Sequence, residues 1–290
     1  MLGIIGDVVQ DVVVWMEEPI RHATDTKSTI TMTRGGSAAN VAAFAGRRHP
    51  TRFIGRVGDD IGGYAVGQDL TSHQVEVKFQ TGGTTGLIVV LIDERGERMM
   101  FPSRGASGEL ERIDDEWLQG LDLLHITGYS LQQDPTATSV IDAARRVKSA
   151  GGQLSIDVSS TGMIDLYGLD TFKQLIVDLA PDFISANRDE TVMLDLADGP
   201  TPGGFLASLP QTVLLARAGA SDTHVFRGSE LVAAVPVQPT DNVRDMTGAG
   251  DAFNAGFLTS WLNTQDLVTA TEAGHALARR VLAHPGASEG

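Results

Sequence analysis

A regular alternation of short apolar segments with helical ones is the feature that most limits how this chain can fold. From residue 114 onward, strands are predicted at 121–126, 154–158, 182–186 and 213–216, and helices between them at 135–150, 172–179 and 189–196. Further strands are predicted at 223–226 and 231–236, followed by helices at 252–262 and 267–283. Such alternation is typical of a parallel sheet with helices on both of its faces. We therefore expect an α/β fold.

The N-terminal part predicts two more strands of this sheet and a second, smaller sheet. Residues 2–5 and 52–57 fit the large sheet, whereas 8–15 and 28–33 have strand patterns of their own. Residues 84–92 and 97–101 flank the turn sequence Asp93-Glu94-Arg95-Gly96, which indicates a hairpin. These four strands can project from the main domain as a lid or as a dimer surface. Since the sequence contains no linker or repeat, we expect one domain over 1–290, with lid strands inserted from about 8–33 and 84–102.

Composition narrows the possible partners. The formal net charge of −15 repels a nucleic-acid backbone, so we expect no nucleic-acid partner. The sequence has no cysteine, which excludes disulfides and cysteine-ligated zinc and fits a cytoplasmic protein. No apolar run approaches the roughly 18–20 residues of a membrane span, so no membrane association is expected. Residues 1–7 lack a basic segment and are interpreted as a first strand, not as a signal peptide.

Two glycines and an acidic residue precede an apolar helix in the stretch Asp245-Met246-Thr247-Gly248-Ala249-Gly250-Asp251. Unpaired N–H groups at a helix N-terminus, together with the helix dipole, attract an anion. A carboxylate beside a bound phosphate is unfavourable unless it takes a proton from an alcohol that attacks the phosphate. Asp is also among the best N-cap residues, so on this stretch alone Asp251 is as readily a helix cap as a base.

A second glycine-rich stretch, Gly35-Gly36-Ser37-Ala38-Ala39-Asn40, precedes a small-residue helix predicted at 41–47. Adjacent glycines let backbone approach a ligand, and Asn40 in the first turns of a helix favours a specific hydrogen bond. Alternatively, the glycines only make a turn and the alanines only pack. Asp11, within the strand 8–15, is likewise either a solvated strand residue or a hydroxyl-binding carboxylate at the mouth of a crevice.

The sequence lacks the common nucleotide-binding motifs. It contains no G-x-x-x-x-G-K-[ST], no G-x-G-x-x-G after the first strand and no protein-kinase motif set. Its two glycine-rich stretches instead resemble the two signatures of the ribokinase-like (PfkB) carbohydrate kinase family, the second of which is usually D-T-x-G-A-G-D. Asn187-Arg188-Asp189-Glu190 resembles the family's N-x-x-E element, and residues 56–62 resemble its V-G-x-D-x-x-G segment. The resemblance keeps order and spacing from about residue 2 to residue 287.

The resemblance implies a ribokinase-like three-layer sandwich, with a central mostly parallel sheet and a small β-sheet lid. It implies ATP-dependent phosphorylation of a hydroxyl of a sugar or sugar-like substrate, with ATP and Mg²⁺ as cofactors. The implied catalytic residues are the base Asp251 and the anion hole of Gly248, Ala249 and Gly250. The implied sugar-binding residues are Asp11, Gly35, Gly36 and Asn40. The implied nucleotide-binding residues are Asn187, Arg217, Gly219 and Gly250, and Asn187 and Glu190 are also implied to hold magnesium through water.

Several positions depart from the family pattern. Met246 replaces a small polar residue of the second signature, and residues 155–161 keep Asp157 but lack the Asn and Arg of a D-x-N-x-R segment. Arg217 replaces a Thr, so it either contacts phosphate or is a surface residue. In many members, Asp245 and Thr247 contribute to a potassium site, so K⁺ is carried as a further candidate cofactor.

Local chemistry offers a competing interpretation for two of these residues. Asn187 can simply be a helix N-cap, and Glu190 can simply complement the helix dipole. At the level of function, the alternatives are a nucleoside kinase of the same family and a non-catalytic sugar- or nucleotide-binding regulator on the same fold. A homodimer formed through the lid is a further expectation.

Overall fold

The computed structural model describes residues 1–95, 97–240 and 242–290. The strands are β1 (Leu2–Ile5), β2 (Val9–Met16), β3 (Ser28–Gly35), β4 (Thr51–Val57), β5 (Val75–Thr81), β6 (Thr85–Ile92), β7 (Arg98–Gly105), β8 (Leu123–Thr127), β9 (Gln153–Asp157), β10 (Phe183–Asn187), β11 (Ala197–Asp198), β12 (Thr201–Pro202), β13 (Val213–Ala218), β14 (Ser221–Arg227) and β15 (Glu230–Val235). The helices are α1 (Ser37–Gly46), α2 (Ile61–Ser72), α3 (Asp115–Leu118), α4 (Thr136–Ser149), α5 (Thr161–Tyr167), α6 (Leu169–Leu179), α7 (Arg188–Met193), α8 (Ala249–Thr264) and α9 (Leu267–Leu282). Within these ranges, no helix has the length and apolar character needed to cross a membrane.

The large sheet has the strand order β15-β14-β13-β10-β9-β8-β1-β4-β5. The strands from β13 to β5 run parallel, and β14 and β15 pair antiparallel at one edge. This confirms the predicted mostly parallel sheet. The edge strand β5 was not predicted, although Val75 and Val77 alternate with Glu76 and Lys78 as one-sided strands do.

Two apolar cores, one on each face of the large sheet, give the molecule its three layers. In β1, Leu2 and Ile4 belong to one core and Ile5 belongs to the other, because successive side chains of a strand point to opposite faces. Helices α1, α8 and α9 pack on the face of Leu2, and α4 and α6 pack on the face of Ile5. The predicted three-layer sandwich is therefore confirmed.

The small sheet has the strand order β3-β2-β6-β7. The predicted hairpin corresponds to β6 and β7, and Gly96 of its turn lies outside the described residues. Residues in register across the sheet share a face, so Asp11 lies on the same face as Pro102 and Arg98. We call this the inner face. The outer face carries the apolar side chains of Ile30, Met32, Val89, Met99 and Phe101.

Helix α1 begins four residues earlier than predicted because a distant residue caps it. The carboxylate of Asp7, which follows β1, accepts hydrogen bonds from the backbone N–H groups of Ser37 (2.9 Å) and Ala38 (3.2 Å). The N-cap residue itself is Gly36, at φ 95°. A Cβ at Gly36 would lie 2.5 Å from the carbonyl oxygen of Asp7, so this close approach requires glycine.

Candidate active site

Five neighbouring parallel strands present polar residues at their carboxyl ends. Asp7 follows β1, Thr127 ends β8, Asp157 ends β9, Asn187 ends β10, and Arg217 lies near the end of β13. Ligands of open α/β sheets bind outside this edge, where loops and helix N-termini converge. The edge therefore defines the candidate site.

Asp251 lies where the N-termini of α1 and α8 meet. The N-cap residue of α8 is Gly248, so the interpretation of Asp251 as the cap of this helix is wrong. Its Oδ1 accepts a hydrogen bond from Ser37 Oγ at 2.6 Å, and its Oδ2 accepts one from Asn40 Nδ2 at 2.9 Å. The carboxylate is thus held in a fixed orientation by two donors of α1.

The environment of Asp251 raises the pKa of its carboxyl group. Burial raises its pKa from 3.8 to about 7, and the nearby charges of Asp157 and Asp7 act in the same direction. The hydrogen bonds from Ser37 and Asn40 favour the charged form and lower the pKa in part. A carboxylate whose pKa lies near neutrality can both accept and release a proton under physiological conditions.

The amide of Asn40 is oriented by a second contact. Its Oδ1 accepts a hydrogen bond from Arg34, whose Nε in turn donates to Asp69 Oδ2 of α2 at 2.7 Å. With the amide oxygen committed to Arg34, the amide nitrogen faces Asp251. In this arrangement, Asn40 contacts the candidate base itself, and the sugar-binding role implied for it stays a prediction.

The predicted anion hole coincides with the N-terminus of α8. Gly248 adopts φ 78°, and a Cβ there would lie 2.6 Å from Cβ of Ala287. The N–H of Ala249 donates to the carbonyl of Met246 at 3.2 Å, so it closes the preceding turn. Helix geometry leaves the amides of the first turn without intrahelical acceptors, and Gly250 belongs to that turn. An anion-binding role for this terminus agrees with its geometry and stays a prediction.

Arg217 is partly buried and faces this terminus. Its Nη2 lies 3.3 Å from Asp157 Oδ2, and its guanidinium lies over the ring of Phe253 at 5.6 Å from the centroid. A Cβ at Gly250 would lie 2.7 Å from Arg217 Nη1, so glycine leaves room for the guanidinium. The side chain is only 17% exposed, which rules out the interpretation of Arg217 as a surface residue.

Asn187 and Glu190 form a reciprocal cap on α7. Asn187 Oδ1 accepts from the N–H of Glu190 at 3.0 Å, while Glu190 Oε2 accepts from the N–H of Asn187 at 2.8 Å. Asn187 Nδ2 also donates to Glu190 Oε1 at 2.6 Å. The interpretation of Asn187 as the N-cap is therefore confirmed, and Glu190 lies in the first turn of α7, where it also completes the cap. Burial and the neighbouring Asp157 raise the pKa of Glu190 to about 7.

A cavity of about 420 Å³ opens beside the N-terminus of α8. All four predicted nucleotide-binding residues line it, namely Asn187, Arg217, Gly219 and Gly250. Met246 also lines it and is 75% exposed, so its side chain projects into the cavity mouth and not into the core. The sequence did not indicate the apolar wall, to which Val237, Val243, Phe253, Ala278 and Leu282 contribute.

The donor set near this cavity suits a magnesium ion held largely by water. Mg²⁺ usually keeps several waters and binds through one or two carboxylates plus substrate phosphates. Among the described residues, no group of three or more His, Cys, Asp and Glu side chains is placed to bind a metal directly. The oxygens of Glu190 and Asn187 already accept hydrogen bonds within the cap of α7, so they fit a site in which water molecules lie between them and the ion.

Asp11 lies on the inner face of the small sheet, next to Gly35. A Cβ at Gly35 would lie 2.1 Å from Asp11 Oδ1, so glycine is required there. Burial raises the pKa of Asp11 to about 6, and the guanidinium of Arg34 opposes this shift. Oδ1 of Asp11 is buried and has no hydrogen-bond partner among the described residues. Such an orphaned buried acceptor is expected where a ligand supplies the missing donor.

The potassium site does not fit this chain. Arg98 of β7 donates from Nη2 to Asp245 Oδ1 at 2.6 Å and from Nη1 to Thr247 Oγ1 at 2.7 Å. The oxygens that would bind the ion therefore already accept from a cation. These bonds, and those from the N–H groups of Thr247 and Gly286, hold the pKa of Asp245 at about 2 despite partial burial.

Four residues of the site were not selected from the sequence. Ser37 lies inside a glycine-rich stretch where a hydroxyl has no pattern of its own, and Asp7 and Asp157 are acids that end buried strands. An acid at the end of a buried strand could have indicated Asp7 and Asp157 as site residues, because the carboxyl ends of parallel strands meet at one edge of the sheet. Arg98 lies about 150 residues from its partners, and no local pattern links them.

Comparison with known proteins places the whole chain in one family. Residues 1–290 match the profile of the pfkB family carbohydrate kinases. The ATP-dependent ribose-1-phosphate kinase of Halopiger xanaduensis is 30% identical over 261 residues, which cover 87% of this chain and 81% of that protein. The fructokinase of Vibrio alginolyticus is 29% identical over 267 residues, which cover 88% and 82% of the two chains.

A solved structure has the same fold. The putative ribokinase II of E. coli in complex with ATP and Mg²⁺ superimposes with a TM-score of 0.84. The superposition covers 99% of this chain and 94% of that one, at 20% sequence identity. Together with the match over the full length, these relatives show that the chain belongs to the pfkB family of carbohydrate kinases, which phosphorylate their substrates with ATP.

Proposed function

We propose that this kinase transfers the terminal phosphoryl group of ATP to a hydroxyl of a sugar or sugar-like substrate, with Asp251 as the general base. The observation that carries the proposal is the position of Asp251. Its carboxylate is fixed by Ser37 and Asn40 on one side, and its helix turn borders the 420 Å³ cavity on the other. The base is thus next to the cavity proposed for the nucleotide, and the acceptor is proposed to bind on the side of Ser37 and Asn40.

The proposed reaction is an in-line displacement at phosphorus. The acceptor hydroxyl oxygen forms a bond to the terminal phosphorus of ATP, and the bond from this phosphorus to the bridging oxygen breaks. The hydroxyl proton passes to Asp251, and ADP leaves with the electrons of the broken bond. Since the pKa of Asp251 is about 7, it is charged in a large fraction of molecules above neutral pH. General-base help of this kind contributes about 10²- to 10⁴-fold.

The N-terminus of α8 and Arg217 are proposed to stabilise the charge of the transferred group. The glycine at 250 lets the guanidinium of Arg217 lie against the first helical turn, at 2.7 Å from where a Cβ would stand. Helix amides and a guanidinium are donors suited to phosphate oxygens. Such preorganised donors are generally the largest contribution to phosphoryl transfer, because little covalent help is needed from the protein.

The nucleotide is proposed to bind in the cavity lined by Asn187, Arg217, Gly219 and Gly250. Its apolar wall suits a planar base, and its polar end at Arg217 suits the phosphates. Asn187 and Glu190 would hold Mg²⁺ through water. When bound, Mg²⁺ neutralises phosphate charge in transfers of this kind.

The sugar is proposed to bind on the other side of Asp251, under the inner face of the small sheet. The buried, unpartnered Oδ1 of Asp11 supports this placement, since a sugar hydroxyl is a suitable donor to it. Gly35 and Gly36, which pack against Asp11 and Asp7, are proposed to border the sugar, and so is Asn40. The small sheet then acts as a lid over the acceptor. The predicted homodimer and the predicted cytoplasmic location stay predictions.

A panel assay tests the proposal. ADP release is measured with ATP and Mg²⁺ for ketoses, aldoses, sugar phosphates and nucleosides, which include the substrate classes of the named relatives. We expect turnover with a sugar or sugar phosphate. Turnover with nucleosides alone would favour the nucleoside-kinase alternative. Binding of sugar and ATP by calorimetry without any ADP release would favour a non-catalytic regulator and would refute the proposal.

A further inference from the structure

One buried carboxylate makes several of the contacts that hold the loop between β15 and α8. Asp245 is 7% exposed, and its Oδ1 accepts from the N–H of Thr247 at 2.7 Å. Its Oδ2 accepts from the N–H of Gly286 at 2.8 Å, on the segment that follows α9. The position of Asp245 therefore sets the course of the loop that ends at Gly248, the N-cap of α8.

A guanidinium of the small sheet completes this arrangement. Arg98 bonds Asp245 Oδ1 at 2.6 Å and Thr247 Oγ1 at 2.7 Å, using one nitrogen for each oxygen. A planar, permanently charged group with two parallel donors is well suited to hold two such acceptors at a fixed distance. The Arg98 side chain is 36% exposed and that of Asp245 is 6% exposed. The guanidinium therefore pairs with a carboxylate that is almost fully buried.

A second cation at the same oxygens would be opposed by the guanidinium. Any monovalent ion that took Asp245 Oδ1 and Thr247 Oγ1 as ligands would lie within a few ångströms of the Arg98 charge, and like charges at that distance repel strongly. The described basic side chains that contact Asp245 come from the small sheet alone. The positive charge that neutralises Asp245 thus comes from a side chain of the protein, Arg98, and not from a bound ion.

We propose that Arg98 replaces a monovalent cation beneath the anion-binding turn, so that this kinase needs no added potassium and Arg98 acts as a positioning residue for Gly248 to Gly250. The proposal rests on the proposed phosphoryl transfer at the same site. Because Arg98 lies on the inner face with Asp11, the sheet that covers the acceptor also orders the turn that binds the phosphoryl group. Removing the guanidinium would take one donor from Thr247 Oγ1 and one from Asp245 Oδ1, which keeps its bond from the N–H of Thr247. Potassium can then occupy the vacated place.

The test measures the monovalent-cation response of the wild type and of Arg98→Ala. Turnover is followed in buffers of equal ionic strength made with KCl, NaCl or tetramethylammonium chloride. We expect less than twofold variation for the wild type. Arg98→Ala is expected to lose at least tenfold in kcat without potassium, with a smaller change in KM for the acceptor, and to regain a large part of it with KCl or with millimolar guanidinium. Arg98→Lys, which keeps the charge on a single donor nitrogen, is expected to stay insensitive to potassium.

Melting temperature supplies a readout that does not depend on turnover. KCl is expected to raise the melting temperature of Arg98→Ala above its value in tetramethylammonium chloride, and to leave the wild type unchanged. Arg95→Ala is the matched control, since Arg95 is an exposed arginine in the turn of the same hairpin. It should respond like the wild type in both assays.

Three results would overturn the proposal. The first is a wild type that potassium activates tenfold or more. The second is an Arg98→Ala variant that behaves as the wild type, and the third is a folded Arg98→Ala whose lost activity and melting temperature respond to neither potassium nor guanidinium. If the wild type phosphorylates no acceptor, the function proposed above fails, while the melting experiment still decides the role of Arg98.

Discussion

At the scale of single residues, the site is dominated by a conflict at Asp251. Burial favours its neutral form, and two hydrogen bonds from α1 favour its charged form, which together place its pKa near 7. The folded state binds the proton of the Asp251 carboxyl more tightly than the unfolded state does. The contribution of Asp251 to the free energy of unfolding therefore falls as the pH rises from about 4 towards 7. The charged form of Asp251, which the reaction needs, therefore destabilises the folded protein.

The sequence indicated the main residues of the site but not the contacts between them. Asp251 stood out because an acid beside helix-terminal glycines is unfavourable without a chemical role. Its hydrogen bonds to Ser37 and Asn40 join positions more than 200 residues apart, and no local pattern contains such a pair. Asn187 and Glu190 show the opposite case, because the N-cap predicted for Asn187 is a local feature that the structure contains. The return bond from the N–H of Asn187 to Glu190 was not predicted.

At the scale of elements, strand periodicity and helix signals located most of the large sheet, whereas helix starts depended on distant groups. The early start of α1 requires the carboxylate of Asp7, 30 residues away in the chain. The same carboxylate also accepts from the hydroxyl of Thr127 at 3.3 Å, so it joins β1, β8 and α1. The register of that contact is set by the sheet, which a single-sequence pattern does not specify.

Removing this long-range cap should cost more than removing a local one. Asp7→Ala leaves two helix N–H groups and a hydroxyl without their acceptor, so we expect the free energy of unfolding to fall by about 2 kcal/mol or more. Asp266→Ala is the matched control, because Asp266 caps α9 through one local bond to the N–H of Thr269 at 2.7 Å. It should cost about 1 kcal/mol. Urea denaturation of both variants measures the difference, and equal losses would contradict the special role of Asp7.

At the scale of the whole molecule, the two faces of the small sheet have different surroundings. Its inner face carries Asp11 and Arg98 towards the large sheet, whereas its outer face exposes Ile30 (60%), Met32 (59%) and Phe101 (55%). An exposed apolar face of this kind commonly marks a contact between molecules. The sequence predicted the strands of this sheet from their alternation, but which face turns outward follows from the register of all four strands.

We expect the predicted homodimer to form through this outer face. Met32→Glu places a charge on the proposed contact and should convert a dimer into a monomer, as measured by light scattering coupled to size exclusion. Glu94→Gln changes a charge at the hairpin turn, away from the outer-face side chains, and should leave the mass unchanged. A monomeric wild type at micromolar concentration would refute the dimer.

The pH dependence of kcat/KM tests the role of Asp251 most directly, because it reports the proton that the base must lose. The wild type should gain activity with rising pH, with a midpoint near 7. In Ser37→Ala, one hydrogen bond to the charged carboxylate is lost, so the midpoint should move up by about one unit. Asp251→Asn should be about 10²- to 10⁴-fold slower and lack this limb, while ATP affinity changes little.

Asp170→Asn removes an exposed acid from the first turn of α6 and controls for the loss of a helix-terminal charge. It should keep the wild-type profile. The account predicts the shifted midpoint in Ser37→Ala and the missing limb in Asp251→Asn. An unshifted midpoint in Ser37→Ala together with a full rate and an unchanged pH profile in Asp251→Asn would contradict it.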